Sequence, residues 1–275
     1  TGEGRPLPMP VYALDPQGKW AVTIDFSRLN HIRRGYGYFG VRDPHKKEWA
    51  PADSGIWRID LESGTTTLIV SLAQLAALPV HRPFSQRSVH YVNHLLFNTD
   101  GTRFSFLHRW TNPKKGWGTR LITASVYGSD LHVLDWKGYT SHYIWRDPDH
   151  ILAFSRGPTF PSKRFLLFTD KTEEVSWIGK GKMVGNGHVS YLPGKEWILN
   201  DTYPTGRDRL QRVYLYNTRT DAVTTIAEFP APAPYQGHFR VDTHPRFSPD
   251  GKKVCIDSAH QQGRQMYLIN LTGLV

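Results

Sequence analysis

Short aliphatic and aromatic runs, separated by polar turn formers, recur along the 275 residues of the chain. Ile56-Trp57-Arg58-Ile59-Asp60-Leu61 and Val213-Tyr214-Leu215-Tyr216 are representative. They are β-branched and aromatic, bounded by turn formers, and read as strands. Helical periodicity is nearly absent, and the one window that has it, Leu72 to Leu78, reads as a short helical turn in a connection. Turn signals stand between the strands at Asp15-Pro16-Gln17-Gly18, Asn98-Thr99-Asp100-Gly101, Asp147-Pro148-Asp149, Pro193-Gly194 and Ser248-Pro249-Asp250-Gly251. The last four recur at roughly 45–56 residues, about the span of one four-stranded propeller blade. A second set, at Asp60 to Gly64, Tyr127 to Asp130, Asp170 to Glu173, Asn217 to Asp221 and Asn270 to Gly273, supplies another hairpin to each unit. Two hairpins make four strands, so the pattern predicts an all-β chain, a β-propeller with about five four-stranded blades.

Thr1-Gly2-Glu3-Gly4 and Leu271-Thr272-Gly273 both read as the turn inside a blade's second hairpin. The chain is therefore expected to begin and end in mid-blade, with residues 5–9 as an outer strand lacking its own blade. On this expectation residues 1–275 are one propeller domain cut from a larger ring, and a closed five-blade ring is the alternative.

Composition narrows the partners. No apolar run is long enough to cross a membrane as a helix. The single cysteine, Cys255, excludes an internal disulfide. A formal charge of +10, from 34 basic against 24 acidic residues, favours an acidic partner. The basic residues are scattered and no nucleic-acid module accompanies them, which turns the expectation from nucleic acid toward an anionic polysaccharide or oligosaccharide.

In a propeller, the connections entering the innermost strands and those leaving the second strands open on the same face, around the central channel. Seven of the 13 histidines fall on or beside those connections: His31, His94, His108, His142, His188, His244 and His260. A histidine-lined face is thus the expected site. Within it, His188, His244, Cys255 and His260 supply a thiolate and three imidazoles, a full set for tetrahedral structural zinc. The alternative is a buried free cysteine with hydrogen-bonded histidines. A second group, His94, His108 and Tyr143 with Arg109 and Arg156, carries what β-elimination of a uronate needs. Arginine neutralises the carboxylate, histidine takes the C5 proton and tyrosine protonates the departing O4. Trp110 and Trp145 are candidates for stacking on sugar rings.

Several stretches resemble the seven-bladed propeller polysaccharide lyases, the ulvan lyases most and the oligogalacturonate lyases more distantly. They are Arg34-Gly35-Tyr36-Gly37-Tyr38, Asn93-His94 with Leu107-His108-Arg109-Trp110, Gly187-His188 with Asp201-Thr202-Tyr203-Pro204, and His244-Pro245-Arg246. The resemblance implies a ring with about two further blades before Thr1, a secreted or periplasmic protein, and a structural zinc at His188, His244, Cys255 and His260. It also implies catalytic histidines at His94 and His108. The family carries a catalytic Tyr and Arg shortly before its first zinc histidine, whereas residues 165–187 here contain neither. Those roles pass by expectation to Tyr143, Arg109 and Arg156. A non-catalytic propeller that binds a glycan or a protein on the same face is the competing function.

Overall fold

A computed structural model describes residues 4–80, 87–112, 116–135, 137–157, 160, 162–261 and 263–274. Its strands form five antiparallel sheets in chain order, four of them four-stranded. The first contains β1 (Ala13–Leu14), β2 (Trp20–Ile24), β3 (Gly55–Asp60) and β4 (Thr66–Ser71). The second contains β5 (His90–Phe97), β6 (Arg103–Asn112), β7 (Gly116–Ser125) and β8 (His132–Val133). β9 (Thr140–Trp145), β10 (His150–Ser155), β11 (Arg164–Thr169) and β12 (Val175–Trp177) make the third. β13 (Ser190–Tyr191), β14 (Trp197–Asp201), β15 (Leu210–Asn217) and β16 (Val223–Pro230) make the fourth. The fifth has three strands, β17 (Arg246–Phe247), β18 (Lys253–Ser258) and β19 (Gln265–Asn270). This is the β-propeller architecture that the strand and turn pattern predicts.

The short apolar window forms α2 (Leu72–Ala77), begun by a capping box between Ser71 and Gln74. A second helix, α1 (Phe26–Ile32), was not foreseen. Its N-cap Asp25 accepts from the amides of Ser27 and Arg28, an Asp-initiated helix start of only two turns that carries no strong periodic signal.

Residues 5–9 form no strand. Pro6, Pro8 and Pro10 lack the N–H that a ladder requires, so this segment is tied to the first blade by side chains instead. Arg5 Nη2 donates to the Leu61 carbonyl at 2.8 Å, and Thr23 Oγ1 donates to the Pro10 carbonyl. Of the terminal turn expected at Thr1 to Gly4, residues 1–3 lie outside the described residues.

The core lies between blades. One apolar layer joins Val22, Ile56 and Val70 of the first blade to Phe104, Phe106 and Ile122 of the second. Further layers join the second to the third through Leu107, Leu121 and Leu166, and the third to the fourth through Phe165, Ile198 and Tyr214. A fourth joins the fourth to the fifth through Leu199, Leu215, Val254 and Ile256. Each fully buried aromatic or branched side chain contributes about 1.5–3 kcal/mol of transfer free energy, so successive blades are held chiefly by this packing. The order of the blades brings the segments that enter the first strands of the second to fifth blades together.

Candidate functional site

Each blade's first hairpin closes with the same backbone bond. It runs from the amides of Asp15, Asn98, Arg146, Leu192 and Ser248 to the carbonyls of Trp20, Arg103, His150, Trp197 and Lys253, at 2.8–2.9 Å. Four residues before each closing amide stand Val11, His94, His142, His188 and His244. Four of five equivalent positions are therefore histidine, and because the first strands converge, these rings meet. Centroids lie 6.3 Å apart for His94 and His142, 4.2 Å for His142 and His188, and 3.7 Å for His188 and His244. The arc lines a cavity of about 490 Å³, which Arg33, Tyr36, Arg109, Trp117, Thr119, Tyr203, Arg240 and Asp242 also border. That volume falls in the ~300–1,000 Å³ range of small-ligand pockets.

Asp201, at the end of β14 and 1% exposed, organises one side of the cavity. It accepts from the His188 amide at 2.6 Å, Thr243 Oγ1 at 2.6 Å and the His244 amide at 3.1 Å. His188 Nδ1 lies 3.0 Å from both of its oxygens. Burial alone would push this carboxyl up, but these bonds and the His188 charge outweigh it and hold it below its ordinary value. A carboxylate only accepts, so His188 donates from Nδ1, which leaves Nε2 as the ring nitrogen free for another partner. A Cβ on Gly187 would lie 1.9 Å from the Asp201 carbonyl oxygen, so only glycine lets the two strands approach this closely.

His94 and His244 hold left-handed backbone, with φ of 55° and 44°. Such strain costs on the order of 1–3 kcal/mol in a non-glycine residue and persists only where neighbours enforce it. Around His94 the enforcers are Tyr12 Oη, which accepts from its amide at 2.8 Å, and Tyr143 Oη, which donates to its carbonyl. Loss of hydration, with the adjacent His188, lowers His142 and His244 to about 4. Burial, then Arg109, takes His94 well below its usual value. At neutral pH these three rings are uncharged hydrogen-bonding groups, and the positive charge of the cavity rests on Arg33, Arg109 and Arg240. Behind its lining, three buried side-chain atoms have no hydrogen-bond partner: Arg109 Nε, Thr119 Oγ1 and Asp242 Oδ1. Arg109 and Thr119 face each other across β6 and β7.

The expected site residues divide. His94, Arg109, His188 and His244 border the cavity. His108 does not: it is fully buried, with Nε2 2.9 Å from His90 Nδ1 and Nδ1 accepting from Arg120 Nε at 3.1 Å. Alternation along β6 turns His108 into the sheet packing and its neighbour Arg109 toward the channel. The Trp110 ring packs 5.4 Å from His108 and against Gly118, on the same side as His108. Trp145 is 4% exposed and its Nε1 donates to Ser105 Oγ at 2.8 Å, a core role rather than a sugar platform. Tyr143 is likewise buried, and its hydroxyl is committed to the His94 backbone. Arg156 is exposed and does not border the cavity.

The four expected zinc ligands are not brought together. Only His188 and His244 meet; Cys255 lies in mid-strand on β18 opposite Arg246 and Leu268. The His260 ring lies 4.8 Å from Phe229 and 4.5 Å from Tyr267, with Nδ1 2.8 Å from Ser258 Oγ. The chain's outward step from β18 to β19 carries it away from the channel. Among the described residues, the one His/Cys/Asp/Glu group whose ligand atoms all lie within 4.8 Å of one another is His45, Glu48 and Asp53. A tetrahedral zinc does not fit the four residues named from the sequence. Residues that the site uses and sequence reasoning left without a role are His142, Asp201, Tyr203, Arg33 and Arg240. His142 was findable from its equivalence with the other three histidines.

No protein-family model and no curated protein matches the chain. Solved structures with a similar fold include TolB from Acinetobacter baumannii, at 14% identity and TM-score 0.56, covering 95% of this chain and 51% of TolB. The tricorn protease aligns at 12% identity and TM-score 0.56, covering 94% of this chain and 25% of the protease. An oligogalacturonate lyase in complex with manganese aligns at 14% identity and TM-score 0.47, over 78% and 71% of the two chains. The chain thus spans about half the length of TolB. At these identities the likeness establishes the β-propeller fold and not an ulvan lyase in particular.

Proposed function

We propose that the chain is a lyase-like propeller that takes an acidic, uronate-containing glycan into the histidine-lined cavity and opens its glycosidic bond by β-elimination. The observation that carries this reading is a cavity bordered by three arginines, Arg33, Arg109 and Arg240, and by the His188 imidazole that Asp201 holds. Arginines match a carboxylate and imidazoles match hydroxyls, and a uronic acid carries both on one ring.

In this reading the Arg109 guanidinium binds the uronate carboxylate and offsets the charge that develops as the adjacent carbon loses its proton. His188 Nε2, oriented by Asp201, takes the proton from C5. The electron pair forms the C4–C5 double bond, and the C4–O4 bond breaks. Tyr203, whose ring centroid lies 5.9 Å from that of His188, gives its proton to O4. Burial, then the nearby Asp242, raises this phenol to about 12, so it stands protonated at neutral pH and able to act as the acid. Proton return from His188 to Tyr203 resets the site.

The test is ultraviolet absorbance of the unsaturated uronate product during incubation with a panel of uronate polysaccharides, for wild type, His188→Gln and Arg109→Lys. Turnover in the wild type that His188→Gln abolishes, with affinity kept within a few-fold, supports elimination. Binding without any unsaturated product identifies a glycan-binding propeller instead.

A further inference from the structure

Arg33 and Tyr36 border the cavity, but the segment that carries them continues outward as Tyr38, Phe39, Val41 and Arg42. Phe39 is 95% exposed and Tyr38 51%, and residues 33–42 contain three arginines and no acidic residue. The segment is not loosely attached. The Tyr38 amide donates to the Phe26 carbonyl of α1 at 3.1 Å. A Cβ on Gly37 would stand 2.1 Å from that same oxygen, so the backbone lies flush on the helix. Tyr12, Phe26 and Tyr38 form a continuous stack, with centroids 5.6 and 4.9 Å apart, and Tyr12 at its inner end accepts from the His94 amide. A rigid aromatic stack therefore runs from the histidine arc to the rim, while the packing leaves Phe39 uncovered beside it. The Arg33 guanidinium stacks 4.2 Å from the Tyr36 ring, which pre-orients a cation on the same path.

We infer that residues Arg34 to Arg42 form an outer subsite that grips the acidic glycan beyond the sugar held in the cavity, so that the protein reads a chain and not a single residue. The inference rests on the functional reading above. Aromatic faces match the C–H faces of pyranose rings, and arginines match the carboxylates repeated along the polymer. The segment begins at the cavity wall, which sets the direction in which the glycan leaves.

The experiment measures the affinity of oligouronates of increasing length, by calorimetry at fixed salt, for wild type and the double variant Arg34→Ala/Phe39→Ala. Both side chains are exposed or peripheral, and a thermal midpoint unchanged from wild type confirms that the fold is kept. The expected result is that wild-type affinity rises about tenfold or more from a disaccharide to a hexasaccharide. The variant keeps disaccharide affinity and loses most of that rise. Equal length dependence in the two proteins overturns the outer subsite and leaves the cavity reading standing. Absence of binding at any length defeats both. A single-stranded DNA oligonucleotide that competes as well as the hexasaccharide also overturns the inference, because it assigns the segment to nucleic acid.

Discussion

Asp201 holds the His188 imidazole by Nδ1, 3.0 Å from both carboxylate oxygens, and the same carboxylate anchors the His244 amide of the next blade. One buried acid thus sets both the tautomer of the proposed base and the seam between the fourth and fifth blades.

Replacement of Asp201 by Asn keeps the volume but turns an amide N–H₂ toward groups that donate. We expect turnover to fall by at least about 100-fold, as for other histidines that lose an orienting carboxylate. Stability falls by about 2–4 kcal/mol, since Thr243 and the two amides lose acceptors inside the protein. Thr243→Ala, which removes one donor and leaves the His188 contact, lowers stability with much less effect on turnover. Equal losses of turnover in the two variants contradict the positioning role.

His108 is expected to matter for folding and not for ligand. Arg120 Nε donates to His108 Nδ1, so His108 carries its proton on Nε2 and donates to His90. Arg120 also donates to the carbonyls of Leu75 and Pro79, fastening α2 to the second blade. His108→Ala leaves the guanidinium short of an acceptor and opens a cavity, at a cost of about 2–5 kcal/mol. Glycan affinity, where the variant is folded, stays within about twofold of wild type.

Acid should destabilise the fold in a defined window. His90 is 3% exposed, and burial, then Arg120 and Arg28, lowers it to about 4, against an ordinary value of 6.5. The unfolded chain therefore binds the proton first, and stability is complete above about pH 6.5 and declines as pH falls toward 4. His90 alone contributes on the order of 3 kcal/mol to this loss. His142 adds to it in the same sense, and the more exposed His244 adds less. Denaturant midpoints measured from pH 7.5 to 4 check this; a flat profile across that span contradicts the neutral-histidine arrangement.

Cys255→Ser should be nearly silent, within about 0.5 kcal/mol of wild type, because among the described residues the thiol belongs to no cluster of three or more metal-ligating groups. Thermal melts with and without a strong chelator provide the readout. A large loss on mutation, matched by chelation of the wild type, restores the zinc set expected from the sequence.

Turn chemistry and strand composition were enough to specify five repeated units, four of them complete hairpin pairs and the fifth three-stranded, since Asp-Gly and Pro-Asp turns and β-branched strands act locally, whatever surrounds them. The histidines at His94, His142, His188 and His244 were legible for the same reason: each stands at a fixed offset from a local turn. Local rules do not say which face of a strand meets the channel. His108 and Arg109 are neighbours with opposite fates, one sealed against Arg120 and the other open to the cavity, and only the packing of β6 between its neighbouring blades decides between them. The same holds for His260 and Cys255, close to His244 in sequence and carried from it by the outward course of β18 and β19. It holds equally for Asp201, which becomes the hub of the site because blade stacking delivers a threonine, an imidazole and two backbone amides to a single buried carboxylate. Residues far apart in sequence meet only through the interblade core, and the burial that brings them together also decides which of them carry charge.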